Sequence, residues 1–158
     1  MAPPNNNGEK LIVENRRARH EYHLGDRFEA GLVLQGTEVK SLRGGQATLQ
    51  QAYADVRDGE GWLLGLHVPE YTEGNRANHI PDRPRKLLLH RKELERIESG
   101  VAEKGFTVVP TRLYFKGGKV KVELALAKGK ELRDKRRDIA SRDAKRQIER
   151  ELKSLGRR

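Results

Sequence analysis

Alternating apolar and polar positions recur along the first 127 residues and indicate short β-strands. The clearest alternation covers 119–126, where charged residues alternate with apolar ones that share a single face. The apolar positions are Val120, Val122, Leu124 and Leu126. A second strand is predicted over 28–35, with Gly31 as a bend or bulge.

Glycine and proline mark where other strands turn or stop. The strands predicted at 52–56 and 62–68 flank a glycine-containing segment, which is typical of a hairpin. The segments 106–109 and 112–115 also have strand character, and Pro110 is expected to break the chain between them. Several short antiparallel strands of this kind close into either a sandwich or a small barrel.

Helical spacing is confined to short stretches of this region. One helical turn over 37–43 is predicted, with Thr37 as its cap. A longer helix is predicted to begin near Arg91, to be weakened by Gly100 and to stop at Gly105. The segment 72–84, rich in Asn, Pro, Gly and Arg, is expected to be a loop. The body is therefore predicted to be mainly β with one to three short helices.

The two ends of the chain differ from the body. Residues 1–12 are predicted to be a disordered lead-in, and 13–127 the folded domain. The segment 128–158 carries 13 basic and 6 acidic residues, so it holds most of the net charge of +10. Its apolar residues recur at helical spacing but form only a narrow stripe, which predicts disorder in the free protein and a helix on a polyanionic surface. They are Ala140, Ala144, Ile148, Leu152 and Leu155.

Composition and motifs narrow the class of protein. The chain has no cysteine, no apolar region typical of a signal peptide and no apolar run near the ~20 residues that span a bilayer, so a cytoplasmic protein without membrane contact is expected. The five histidines match no zinc pattern, and neither a nucleophile elbow nor a phosphate-binding loop is present. Hence no metal, no cofactor and no enzymatic activity are predicted, and a monomer is expected.

Basic residues interleaved with aromatic ones favour RNA as the partner. Arg19 lies near Tyr22, and several lysines lie beside Tyr114 and Phe115. Cations bind phosphates while flat rings stack on unpaired bases, a combination typical of proteins that bind structured or single-stranded RNA. For Phe28, Phe106, Phe115 and Trp62 the other interpretation is core packing, and for Tyr22 both interpretations stay open.

Several motifs resemble a known family in order and spacing, from about Val13 to Arg150. They are Arg19-His20-Glu21-Tyr22, the stretch Phe28 to Arg43, Arg85 to His90, Tyr114-Phe115, the stretch Val122 to Lys130, and Asp134-Lys135-Arg136. Together they resemble the family of small protein B (SmpB), which binds bacterial tmRNA.

The resemblance implies both a fold and a role. The fold would be an OB-type closed antiparallel β-barrel with a disordered basic C-terminal tail. The protein would bind the tRNA-like domain of tmRNA, stand in for its missing anticodon arm and place its tail in the empty mRNA channel of a stalled ribosome. The implied partners are tmRNA, the ribosome through mainly its small subunit, and elongation factor Tu indirectly through alanyl-tmRNA.

The resemblance also implies which residues bind RNA. In the body and at its end these are Arg19, Tyr22, Glu29, Lys40, Arg43, Leu88, His90, Lys121, Lys128, Gly129 and Lys130. In the tail, at the decoding centre and along the mRNA channel, they are Asp134, Lys135, Arg136, Arg142, Lys145, Arg146 and Arg150. A carboxylate repels phosphate, so Glu29 would accept hydrogen bonds from base amino groups, or else form an ion pair within the barrel.

Two positions depart from the pattern of the family. His90 stands where many members have Asn, and Ala144 follows Arg142-Asp143 where an aromatic residue is frequent. The alternatives to tmRNA binding are a nonspecific single-strand RNA-binding or ribosome-associated OB-fold protein, and an RNA-processing enzyme.

Overall fold

The computed structural model describes residues 8–73, 78–102, 106–130 and 132–155, except for the side chains of 132–135, 138, 154 and 155. The described residues form strands and helices in the following order. They are β1 (Glu9–Glu14), α1 (Arg16–Glu21), β2 (Tyr22–Leu32), α2 (Gly36–Arg43), β3 (Tyr53–Arg57), β4 (Glu60–Leu64), β5 (Arg85–Leu88), α3 (Arg91–Ala102), β6 (Phe106–Lys116), β7 (Lys119–Gly129) and α4 (Leu132–Leu155). The predicted stop of α3 at Gly105 lies outside the described residues.

The strands form one sheet in the order β1-β6-β3-β4-β5-β2-β7, and β6 pairs additionally with β7. The pairs whose registers are known are antiparallel, as predicted for a mainly β protein. The apolar face of β7 is buried in the core, as its alternation predicts, together with Leu63, Leu66 and Leu113. The hairpin of β3 and β4 is also confirmed, and Asp58 and Gly59 at its turn have positive φ angles of 53° and 74°.

Pro110 does not break the strand in which it lies, contrary to the prediction. β6 runs through Pro110, and its register with β7 shifts between Pro110 and Arg112. Proline has no N–H for the ladder and is tolerated at such an irregularity. Its carbonyl oxygen instead accepts a hydrogen bond of 2.9 Å from Nδ2 of Asn15, which fixes the bulged backbone.

The prediction of a disordered lead-in over 1–12 is wrong for 9–12, and residues 1–7 lie outside the described residues. Residues 9–12 belong to β1, which pairs with β6, and Ile12 and Val13 pack against the core. A short helix, α1, follows directly because Oδ1 of Asn15 accepts the Ala18 N–H at 3.3 Å and so caps its first turn. β2 begins at Tyr22, six residues before the predicted start, and includes Gly31 as an ordinary paired residue opposite Leu88.

The cap of α2 is Gln35 rather than Thr37. The Glu38 carboxylate accepts the Gln35 N–H at 2.9 Å, forming part of a capping box. Glu38 is fully buried and also binds two guanidinium groups, with Arg83 on one carboxylate oxygen and Nε of Arg85, at 2.7 Å, on the other. Arg85 is buried too and donates to the carbonyl oxygens of Leu66 and Pro81. This cluster ties α2 to the start of β5 and to the loop before it.

Gly65 is required by the close approach of two backbone segments. Its φ is 76°, and a Cβ at this position would lie 2.4 Å from the carbonyl oxygen of Gln51. We expect Gly65→Ala to lower the free energy of unfolding by about 2–4 kcal/mol, since the alanine would be strained and also clash with backbone. Urea denaturation measures the loss. Gly36→Ala is the control, because no atom lies within 4 Å of the added Cβ; equal losses in the two variants would contradict the expectation.

α3 and α4 belong to different units of the chain. α3 has the predicted helical spacing, and Gly100 lets it approach β7 so closely that a Cβ there would meet Cδ2 of Leu126 at 2.7 Å. The chain divides into the units Met1–Lys128 and Gly129–Arg158. In the second unit the predicted helical spacing coincides with α4. That this segment orders only on binding stays a prediction.

Candidate nucleic-acid interface

Three of the predicted RNA-binding residues, Leu88, His90 and Lys121, line one open groove of about 500 Å³. Glu60, Lys86 and Leu94 also line it, and we call it the Leu88 groove. Leu88 is 55% exposed although it lies in a strand. Such exposure of a large apolar side chain next to cations is typical of a contact surface rather than of a core.

Gly31 allows these groups to come together. It pairs with Leu88 across β2 and β5, and a Cβ at Gly31 would lie 3.3 Å from Cβ of Leu88 and 3.6 Å from Nζ of Lys121. A Cβ at Gly31 would therefore be tight against Leu88 and in ordinary contact with Lys121. His90 is placed by the start of α3, where its backbone N–H donates to Glu93 at 3.1 Å and its carbonyl oxygen accepts the Leu94 N–H at 3.0 Å.

Glu29 is held as an anion near this groove. Tyr114 donates its hydroxyl hydrogen to Oε2 of Glu29 at 2.6 Å, and Nζ of Lys116 lies 3.2 Å from the same oxygen. The hydrogen bond from Tyr114 is the largest influence and lowers the pKa of Glu29, partial burial opposes it, and the charges of Lys116 and Lys121 lower the pKa further. A carboxylate held this way stays an acceptor at neutral pH, as base recognition by Glu29 requires.

The prediction that Tyr114 is a surface aromatic residue was wrong. Tyr114 was grouped with surface aromatics that stack on bases, but it is only 1% exposed, and the Arg112 guanidinium lies 4.3 Å from the centre of its ring. Burial, and then the hydrogen bond to Glu29, raise the pKa of the Tyr114 hydroxyl. Its role in this structure is to hold Glu29, which a buried ring can do and an exposed ring that stacks on a base cannot.

We expect Tyr114→Phe to raise the pKa of Glu29 towards its ordinary value, because the substitution removes the hydrogen bond that lowers it most. Titration of the Glu29 carboxyl carbon by NMR measures the shift. Lys119→Gln is the control, since Lys119 is an exposed lysine at the start of β7 and is not among the groups that shift the pKa of Glu29. An unchanged pKa in Tyr114→Phe would mean that the lysine charges alone set it.

Arg19 and Tyr22 lie at a second location, on α1 and at the start of β2. Arg19 is exposed and forms an ion pair of 3.0 Å with Glu14. Tyr22 is half-buried and packs against a small cluster that includes Ala18 and Ala127. Ala127 precedes Lys128 in β7, so Tyr22 lies close to the end of that strand, where Lys128 and Gly129 are exposed.

Lys40 and Arg43 lie at a third location, on α2. Both side chains are exposed, and Nζ of Lys40 lies 5.5 Å from the centre of the Tyr71 ring. This cation–π contact holds the ammonium group at the surface. The structure does not bring these two residues into the Leu88 groove, so the predicted contacts of the body are spread over three places.

The predicted tail residues lie on or before α4. Arg136, Arg142, Lys145, Arg146 and Arg150 are exposed, and so are Ile148 and Leu152 of the apolar stripe and Ile139 beside it. The side chains of Asp134 and Lys135 lie outside the described residues. Lys130 follows the last strand and is half-buried.

One cluster of buried charged residues was missed in the sequence analysis. The buried cluster of Glu38, Arg83 and Arg85 has no periodic signature, although Glu38 stands three residues after Gln35, the spacing of a capping box.

Within the described part of the chain, no group of three or more His, Asp or Glu residues is placed to hold a metal ion. Nor is any helix there long and apolar enough to cross a membrane.

Comparisons with known proteins agree along almost the whole chain. The family model described as SmpB protein matches residues 12–154. The SsrA-binding protein of Thermobifida fusca is 57% identical over 146 residues, which cover 92% of this chain and 91% of the relative. That of Syntrophomonas wolfei is 57% identical over 150 residues, covering 95% and 96% of the two chains.

A solved structure is similar as well. A chain of "tmRNA-SmpB: a journey to the center of the bacterial ribosome" superposes with a TM-score of 0.66 at 48% sequence identity. The match covers 76% of this chain and 85% of that chain.

Proposed function

Because this chain belongs to the SmpB protein family, we propose that it binds tmRNA and, with it, rescues stalled ribosomes by trans-translation. The observation that carries this proposal is the match to SsrA-binding proteins, which spans both the strand-rich body and the basic tail. The proposal assigns the protein no catalytic step. Its partners are tmRNA and the ribosome, and these partners place it in the cytoplasm.

The fold of the body supports recognition by a rigid surface. The pairing of β6 with both β3 and β7, together with the order of the other strands, supports a closed OB-type barrel. A closed sheet has no free edge strand, so it presents side chains at fixed positions. The sequence predicts a barrel over 13–127 and a tail over 128–158. We propose that the barrel also includes β1, which begins at Glu9.

The Leu88 groove is proposed as the place where the tRNA-like domain is recognised. Leu88 would cover an apolar face of a base or ribose, and His90 would donate or accept one hydrogen bond. Glu29 would accept hydrogen bonds from base amino groups. Cations at all three locations would bind phosphates. These are Lys40, Arg43, Lys121, Lys128 and Lys130, with Arg19 near Tyr22.

The tail is proposed to act on the small subunit. The protein would replace the anticodon arm that tmRNA lacks. α4 would enter the mRNA channel, whose walls are lined with phosphates, only where no messenger occupies the channel. Ordering the tail costs conformational entropy, which the contacts between its exposed cations and phosphates would offset. Asp134, Lys135 and Arg136 would act at the decoding centre. Elongation factor Tu would join indirectly, through alanyl-tmRNA.

We expect Leu88→Ala to weaken binding to the tRNA-like domain of tmRNA about tenfold, which corresponds to ~1.4 kcal/mol. The substitution removes an apolar contact from the groove. Leu11→Ala is the matched control, since Leu11 is also a strand leucine and is 48% exposed, against 55% for Leu88. Binding is measured at ~150 mM salt, where weak surface attraction is screened.

The same measurement with an ordinary tRNA tests the proposed function as a whole. We expect the wild-type protein to bind the tRNA-like domain at least tenfold more tightly than the tRNA. Equal affinities with a steep salt dependence would instead favour the nonspecific RNA-binding protein.

A further inference from the structure

A polar pocket separate from the Leu88 groove lies between α1, the segment 50–53 and β6. Its volume is about 310 Å³, near the lower limit of the ~300–1,000 Å³ usual for ligand sites. Two tyrosines, Tyr22 and Tyr53, line it, and we call it the Tyr22–Tyr53 pocket. Gln50, Gln51 and Thr107 add uncharged polar side chains to its lining, and Arg17 and Glu21 of α1 add a cation and a carboxylate.

The backbone around this pocket is held together by the hydrogen bonds of one buried side chain. Asn15, which is 4% exposed, donates through Nδ2 to the carbonyl oxygens of Leu49, at 3.3 Å, and Pro110, at 2.9 Å. These bonds join the start of α1 to both other walls of the pocket. The backbone of Gln51 in turn packs against Gly65, where no side chain would fit. The glutamines and Tyr53 are therefore presented from a fixed segment.

Five of the polar side chains that line the pocket have no partner among the described residues, in contrast to Asn15, Arg17 and Glu21. The side chains of Gln50, Gln51, Tyr22, Tyr53 and Thr107 make no hydrogen bond to another described residue. Tyr53 is moreover 44% exposed, although it is the first residue of a strand. Two amides, three hydroxyls and two aromatic rings are thus available to one ligand.

This set of groups fits a nucleobase. A flat ring can stack on a tyrosine ring, and an amide side chain can donate to and accept from the edge of a base. Arg17, on the rim and 48% exposed, forms an ion pair of 3.4 Å with Glu21 through Nε, and its other guanidinium nitrogens can bind the adjoining phosphate. We propose that the Tyr22–Tyr53 pocket binds one unpaired base of RNA, stacked on Tyr53 and hydrogen-bonded by Gln50 and Gln51. The proposal rests on the proposed function only in taking RNA as the partner.

The base has two possible sources, which share the same chemistry. It could belong to the tRNA-like domain of tmRNA, or to RNA of the small ribosomal subunit. Binding of the full-length protein to each of these RNAs, measured separately, distinguishes them. The RNA that loses affinity when the pocket is altered is the one that supplies the base.

The test compares Tyr53→Ala with Tyr53→Phe in the full-length protein. Stacking predicts that Tyr53→Ala weakens binding to one of the two RNAs at least fivefold, since removal of a stacking ring costs ~1–3 kcal/mol. Tyr53→Phe keeps the ring and is expected to stay within twofold of wild type. Ile80→Ala, in which an apolar side chain that is 71% exposed is shortened outside the pocket, is the control. Tyr53→Ala within twofold of wild type on both RNAs would overturn the proposal.

A second measurement does not depend on the stability of Tyr53→Ala. A short single-stranded RNA oligonucleotide is titrated into the wild-type protein, and the side-chain amide resonances of Gln50 and Gln51 are followed by NMR. We expect both resonances of the wild-type protein to shift in a saturable manner. Amide resonances that do not move would contradict the pocket, whereas equal wild-type affinity for tmRNA and tRNA would contradict only the proposed function.

Discussion

A chain that ends at Lys130 is expected to bind the tRNA-like domain within threefold of the full-length protein and to lose tagging on stalled ribosomes altogether. The Leu88 groove lies wholly before that residue, and all of α4 lies after it. Affinity is measured with the isolated RNA domain, and tagging in a translation reaction stalled on a messenger without a stop codon. Retained tagging would mean that the tail only adds solubility.

A full-length variant separates the charge of the tail from its length. In it the exposed cations Arg142, Lys145, Arg146 and Arg150 are replaced by glutamine, which preserves helix propensity. If each binds one phosphate, the slope of log affinity for the small subunit against log salt should fall by about 3–4. An unchanged slope would show that these side chains do not bind phosphate.

Glu38→Gln is expected to lower the free energy of unfolding by about 3–5 kcal/mol, because it leaves two guanidinium groups without their counter-charge inside the protein. Arg85 is fully buried and Arg83 partly so. Urea denaturation at neutral pH measures the loss. Glu60→Gln is the control, since its 3.1 Å ion pair with Lys86 lies at the surface and contributes within ~0–1 kcal/mol. Similar losses in the two variants would contradict the role of burial.

The same cluster predicts how stability depends on pH. Burial raises the pKa of Glu38, but hydrogen bonds from Arg83, the Gln35 N–H and Arg85 outweigh it, so the pKa lies below the ordinary value of 4.5. A group whose pKa is lowered on folding stabilises the protein above its unfolded pKa, and this stabilisation is lost as pH falls through the folded pKa. Wild type should therefore lose stability on acidification below pH 4.5 more steeply than Glu38→Gln.

The mainly β body could be predicted from the sequence because burial on one face of a strand imposes a period of two. β7 follows this rule over 119–124, and β4 follows it along its whole length. β6 does not, because Pro110 is a strong local signal for a break, and only the bulge and the hydrogen bond from Asn15 make it compatible with a strand. β1 was missed for a similar reason, since its short alternation is mixed with charged residues.

Less of the candidate site than of the fold could be predicted from the sequence. Motif resemblance identified Glu29, Leu88, His90 and Lys121, but no pattern indicates that they share one region of the surface. That depends on Gly31, opposite Leu88, and on Tyr114, whose ring had been interpreted as a surface aromatic. The polar side chains of the Tyr22–Tyr53 pocket, apart from Tyr22, had no signal at all.

The sequence by itself determined the strand periods, the hairpin, α3 and the concentration of positive charge after residue 127, because each depends on neighbours along the chain. The tertiary structure alone decided where the buried charges of Glu38 and Arg85 are compensated, how Glu29 is held as an anion, and which polar side chains remain available in the Tyr22–Tyr53 pocket. The physical reason is that hydrogen bonds and burial depend on distances between residues far apart in sequence, 47 positions for Arg85 and Glu38 and 85 for Tyr114 and Glu29.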